Sequence, residues 1–435
     1  MKRSTLLIGF VLLGVVWSGL PSGPVGAATR ADTGNPYATA PYSVSTAPYA
    51  FGQAPVFLPG GQVLFGQDFG RGAGTQIYRS NQDGSGLTCL TCELKAPNSV
   101  PAVRPQGDWI LFHSWMGHAI TLGSPGYGGL GSALWIMRPD GTDVTQLTET
   151  QKGLGAGEGF DDYHAYWSPD GTQVAWAHLD WNFVNGHGQG KWDVRVARFV
   201  VSAAGVPSLT DIGVVRPANG SWYETQWWAP DGSGFLYTQT SGTAMDTELF
   251  FCRLTASGCA VTQLTDNASW NEQAIFTPDG KDVIFMSSRD HPGFFNTFVQ
   301  LTKDAGLSTD ADYLLTLEIF EAAYEQPVAQ EVTDLYELDL GTGSVRRLTT
   351  DGDDGWIIPE FTWYPGHPYL VWTETRFPPG VRVPLPLNVT QQLEATAKLL
   401  FHFPLRSIRL PTTNALQPSL PLQMRTRVLR FDLSS

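Results

Sequence analysis

A short unit built around a proline recurs six times between Phe57 and Trp372, and no other feature constrains the fold as tightly. The copies begin Phe57-Leu58-Pro59-Gly60-Gly61, Val103-Arg104-Pro105-Gln106-Gly107, Trp167-Ser168-Pro169-Asp170-Gly171, Trp228-Ala229-Pro230-Asp231-Gly232, Phe276-Thr277-Pro278-Asp279-Gly280 and Trp363-Tyr364-Pro365-Gly366-His367. They lead to the aromatics Phe65, Phe112, Trp176, Tyr237, Phe285 and Trp372, the first copy being one residue shorter than the rest. Proline presets the first corner of a tight turn, Asp or Gly tolerates the second, and Gly accepts the positive φ at which the chain reverses. Apolar runs such as Val174-Ala175-Trp176 and Val283-Ile284-Phe285 flank the turns. Each copy therefore reads as a hairpin whose aromatics need a neighbouring copy to cover them.

A second hairpin follows most of the first. Its closing strand reads Leu87-Thr88-Cys89-Leu90-Thr91, Val144-Thr145-Gln146-Leu147-Thr148, Val261-Thr262-Gln263-Leu264-Thr265 and Val345-Arg346-Arg347-Leu348-Thr349. The strand before it is Leu134-Trp135-Ile136-Met137 in one copy and Leu335-Tyr336-Glu337-Leu338 in another. Short strands repeated at this period predict an all-β, six-bladed propeller of four-stranded blades over residues 51–435. The last copy lacks an outer strand after Val428–Leu433, so the 28–50 segment, around Tyr42 to Tyr49, is expected to supply it and close the ring.

The Ser/Ala/Thr-Pro-Asp-Gly hairpin followed by a strand ending Gln-Leu-Thr resembles the repeat of TolB-type, WD40-like propellers. The same repeat is found in the propellers of prolyl-oligopeptidase-like enzymes and of some metal-dependent oligogalacturonate lyases. TolB adds an α/β domain before its propeller and the oligopeptidases add a hydrolase domain; the expectation is a propeller alone. The resemblance implies a fold and leaves function open, because function resides in sites grafted on such scaffolds.

Residues 1–27 have the form of a secretory signal: Lys2 and Arg3, an apolar run from Leu6 to Leu20, and small residues ending at Ala27. The mature chain is expected to be exported, extracellular or periplasmic, monomeric, and without a membrane span. Removing Lys2 and Arg3 takes the formal charge from −14 to −16, which disfavours nucleic acid as a partner. Four cysteines in an exported chain suggest disulfides. Cys89 with Cys92 falls in the first blade and Cys252 with Cys259 in the fourth; pairing across the ring would exceed the ~7 Å Cα separation a disulfide tolerates. The competing reading of Cys89-x-x-Cys92 as a metal knuckle has no second pair to complete it.

Propeller topology places all the Pro-containing turns on one face. The other face receives long loops at 114–131, 179–191, 289–333 and 375–424, and loops gathered on one face mark where binding is expected. A short helix within 310–330 is expected to cap the central funnel. The candidate ligand-binding residues are His164, Glu224, Glu272 and Glu360 at the starts of innermost strands, with Asp162, His178, Asp290, His291 and Glu374 around them; His113, His118, Asp161 and Asp180 lie nearby. Carboxylates and imidazoles converging on a funnel suit a divalent cation, or acid and base groups in polysaccharide cleavage. The sequence has no Gly-x-Ser-x-Gly elbow, HExxH motif or phosphate-binding glycine loop, so no catalytic residue is assigned and the cofactor stays open. The reading favoured is a binding or scaffolding module for a protein, peptide or glycan. Its competitor is a metal-dependent carbohydrate-active lyase or hydrolase.

Overall fold

The computed structural model describes residues 35–433 apart from 70–73, 117–131, 150–159, 186–188, 241–246, 268, 292–331 and 377–422. The expected leader, the helix within 310–330, His118 and most of three of the long loops lie outside those residues.

Six antiparallel sheets of four strands form the blades. The first holds β2 (Gln53–Phe57), β3 (Val63–Gln67), β4 (Gln76–Ser80) and β5 (Thr88–Cys89). The second holds β6 (Asn98–Val103), β7 (Ile110–Ser114), β8 (Ala133–Met137) and β9 (Thr145–Gln146). The third holds β10 (Phe160–Trp167), β11 (Gln173–Asn185), β12 (Gln189–Val201) and β13 (Pro207–Arg216). The fourth holds β14 (Tyr223–Trp228), β15 (Gly234–Thr240), β16 (Thr247–Thr255) and β17 (Gly258–Gln263). In the fifth are β18 (Asn271–Phe276), β19 (Asp282–Ser287), β20 (Asp334–Asp339) and β21 (Val345–Arg347). The sixth is β22 (Phe361–Trp363), β23 (Tyr369–Arg376), β24 (Gln423–Phe431) and, from the other end of the chain, β1 (Tyr42–Thr46). Pairing of Tyr42 with Phe431 and of Thr46 with Arg427 closes the ring as expected.

The repeat explains both the turns and the seams between blades. In the first five hairpins the positive φ falls on the glycine two residues after proline, Gly61, Gly107, Gly171, Gly232 and Gly280. In the sixth it moves one residue earlier, to Gly366 (φ 74°), and the His367 N–H closes the turn on the Tyr364 carbonyl. That is a type II turn, so His367 never needs the conformation a glycine would supply. The tryptophan opening three units works between blades: the indoles of Trp167, Trp228 and Trp363 donate to the carbonyls of Ala102, Tyr166 and Phe276 on the preceding blades. The aromatics that end the units, such as Phe112, Trp176, Tyr237, Phe285 and Trp372, are fully buried.

One loop expectation is corrected. β11 and β12 each run thirteen residues and remain paired as far as Asn185 with Gln189, so 179–191 is mainly a lengthened hairpin. Two disulfides form within blades, Cys89–Cys92 with Cα atoms 5.8 Å apart and Cys252–Cys259 at 5.0 Å.

Candidate functional site

Every innermost strand except β22 carries a register break: between Gln53 and Val56, Ser99 and Ala102, Tyr163 and Tyr166, Thr225 and Trp228, and Glu272 and Ala274. Ala54, Val100, His164 and Gln273 sit in these breaks with φ of 46–47°. Counting back from the hairpin proline, they share one repeat position with Thr225 and Glu360; the position before it holds Glu224 and Glu272. A bulge leaves one residue unpaired and re-aims its side chain. Five of the six inner strands are therefore bent in this stretch, which turns a small set of side chains into the centre of the ring.

Those side chains form one hydrogen-bonded group. Glu224 Oε1 lies 2.9 Å from His164 Nδ1 and accepts from Gln226 Nε2 at 2.8 Å and Gln273 Nε2 at 3.1 Å. The Glu224 and Glu272 carboxyls are hydrogen-bonded to each other, and the Trp270 indole donates to Glu272. Glu360 accepts from the Ala54 backbone and interacts with His164 and Glu272. The His113 ring lies 5.8 Å from that of His164, while Tyr163 and Tyr166 feel the same carboxyls. Glu224, Glu272 and His164 are 3–7% exposed; Glu360 is partly open to solvent.

Burial governs the protonation of this group. It pushes Glu224 up to about 7, with the Glu272 hydrogen bond opposing, and raises Glu272 well above the usual carboxyl range, where the Glu224 charge adds to the effect. Glu360 is raised by burial, with His164 opposing. Burial likewise lowers His164 and drives His113 well down, so both imidazoles are held toward the neutral form. A carboxyl–carboxyl hydrogen bond requires a proton between the oxygens. Glu224, with its other N–H donors, is the better place for the negative charge, and Glu272 for the proton.

The remaining candidates do not join this group. Asp162 and His178 pair at 2.8 Å inside the third blade, where the Trp176 indole also donates to Asp162. The bulge at His164 separates that pair from the axis, although Asp162 and His164 alternate in sequence. Glu374 pairs across the sixth blade with Arg425, and both Arg425 and Arg427 reach Asp351 at 2.9 and 3.0 Å. Asp290 accepts from the Tyr336 hydroxyl, and His291 Nε2 lies 2.6 Å from Asp334. Asp161 is buried at the start of the third blade.

His291, Asp334 and Asp353 are the one trio among the described residues whose potential ligand atoms lie within 4.8 Å of one another. Arg347 already occupies that space, 2.6 Å from Asp334 and 2.8 Å from Asp353. The trio is an ion-pair network with its cation built in. Sequence reasoning missed Arg347, although Arg346-Arg347 replaces the Thr-Gln found at this place in two other copies. It also missed Gln226, Gln273 and Trp270. Gln273 shares the repeat position of His164 and was findable by that alignment.

Among the described residues no helix is long and apolar enough to cross a membrane. No protein-family model and no curated protein matches the sequence. Among solved structures, TolB from Acinetobacter baumannii is 14% identical with a TM-score of 0.43, over 73% of this chain and 61% of that one. A structure from Agrobacterium tumefaciens described as a TolB is 16% identical (TM-score 0.39; 71% of this chain and 87% of that one). A puromycin hydrolase is 17% identical (TM-score 0.43; 76% and 44%). The chain thus spans 61% of the length of the Acinetobacter TolB. The fold itself rests on the six sheets and their repeat: the chain is a six-bladed β-propeller of four-stranded blades.

Proposed function

We propose that the chain is an exported, monomeric propeller that binds a protein, peptide or glycan through the long-loop face and takes part of that ligand into the axial mouth. One observation carries the reading: ionisable and amide side chains from successive blades meet at the axis on strained, bulged backbone. Backbone held at positive φ in non-glycine residues persists where the surrounding structure enforces it, and such strain gathers at functional sites. The leader in the sequence and the two intrablade disulfides support an oxidising compartment outside the cytoplasm.

The competing reading, a metal-dependent carbohydrate lyase or hydrolase, has less support. Glu224 and Glu272 are in direct hydrogen-bond contact, closer than the ~5–9.5 Å separating the two carboxyls of glycosidases. The described trio able to gather around an ion lies on the fifth blade with Arg347 among its carboxylates. A glycan array and a peptide array read against the parent chain and Glu224→Gln/Glu272→Gln test the proposal. Captured ligands should lose at least tenfold in affinity in the double variant; undiminished capture would move the contact off the axis.

A further inference from the structure

Buried acids on the long-loop face differ in what neutralises them. Asp334 has Arg347, Glu374 has Arg425, and Asp351 has Arg425 and Arg427. At the axis, Glu224, Glu272 and Glu360 face His164, His113, Tyr163, Tyr166, Gln226, Gln273 and Trp270, and no described Lys or Arg contributes. Gln226 supplies a second, independent sign. Its side chain is fully buried, its Nε2 is spent on Glu224, and its Oε1 has no donor. A buried acceptor left unmade costs about 1–3 kcal/mol, so the group wants an N–H or O–H donor that the described residues do not provide.

A donor-rich cation satisfies both needs, and its shape follows from the spacing. A metal ion draws its oxygen ligands to about 2.0–2.6 Å, hence to within roughly 5 Å of one another. Among the described residues no axial trio meets that condition. A guanidinium distributes its N–H donors over a planar fork and stacks on aromatic faces, and Trp270, Tyr163 and Tyr166 border the acids.

Building on the axial binding reading above, we propose that the mouth recognises a guanidinium, an arginine side chain of a peptide or protein ligand, in exchange for the proton bridging Glu224 and Glu272. The proton leaves to solvent, both carboxyls become acceptors, and Gln226 Oε1 gains its donor. Charge balances: one cation enters as one proton departs.

Titration calorimetry of the whole chain at about pH 8, where Glu224 is charged and Glu272 keeps its proton, in two buffers of different ionisation enthalpy, tests this with acetyl-arginine amide, acetyl-lysine amide and calcium chloride. The arginine probe should bind at least tenfold more tightly than the other two, with release of about one proton. Glu272→Gln keeps a donor toward Glu224 but has no proton to give; it should bind about tenfold more weakly without proton release, while melting no lower than the parent. Preference for calcium or lysine overturns the proposal, as does arginine binding unaltered in Glu272→Gln. If the arginine probe is silent while an arrayed ligand depends on Glu224 and Glu272, the guanidinium assignment fails and axial binding stands. Array ligands indifferent to both residues remove the two together.

Discussion

The axial mouth and the rim of the fifth and sixth blades share a face and a composition of buried acids, yet they are satisfied differently. At the rim each acid meets a guanidinium: Asp334 accepts from Arg347, Thr349 and the Gly352 backbone, and Asp351 accepts from Arg425 and Arg427. Arg425 and Arg376 also lie over the Trp356 ring at 4.0 and 4.6 Å. At the axis the donors are amides and an indole, with the His164 ring alongside, and one acid retains its proton. The rim supplies its own cations. The axis balances its charge only by holding protons, an arrangement that a cation can displace.

The sharpest way to break this contrast is to remove the rim's cation. Arg347→Met leaves Asp334 buried beside His291 without a guanidinium and should destabilise the chain by about 3–5 kcal/mol in urea unfolding; a loss below about 1 kcal/mol would mean that the rim does not depend on its cation. Next in size is the response to pH. Glu224 (to about 7), Glu272, Glu360 and Asp282 (to about 6) are all raised by burial. Between about pH 4.5 and 7 the unfolded chain sheds these protons while the folded chain keeps them, so stability falls as pH rises. His113 and His164, lowered in the fold, act oppositely below about 6.5 but are fewer. The net drop from pH 5 to 8 should be on the order of 2 kcal/mol, read from melting curves, and Glu224→Gln/Glu272→Gln should flatten it.

Smaller effects refine the axial side. Glu272→Gln replaces a group that must hold a proton by one that needs none, and should stabilise the chain by about 1 kcal/mol at pH 8; destabilisation there would show the acid to be structural. Glu360→Gln, on a side chain that water reaches, should change stability by no more than about 0.5 kcal/mol in the same assay.

Most of the fold was legible because its determinants are local. Pro169, Asp170 and Gly171 shape a hairpin within a few residues, and the aromatic at Trp176 announces that a neighbour must cover it. Even the sixth unit's departure, His367 for glycine, is resolved locally by the shift of positive φ to Gly366. The 179–191 segment was less legible: polar residues in a lengthened hairpin read like those of a loop, and only the pairing of Asp180 with Lys191 and beyond distinguishes them.

The sequence alone determined the number of blades, the cysteine pairs and the need for an N-terminal strand around Tyr42 to Tyr49 to complete the ring. Tertiary structure decided which acids belong together. Alternation along β10 places Asp162 and His164 on one side, but the bulge sends the first to His178 and the second to Glu224. Glu224 and Glu272 meet because they hold the same repeat position on the inner strands of adjacent blades. Arg347 fills the space among His291, Asp334 and Asp353 because β20 and β21 pair in the register that places it there. A turn is decided by the residues inside it, whereas neutralisation of a buried charge depends on groups tens or hundreds of residues away, and only the closed ring brings those within a hydrogen bond.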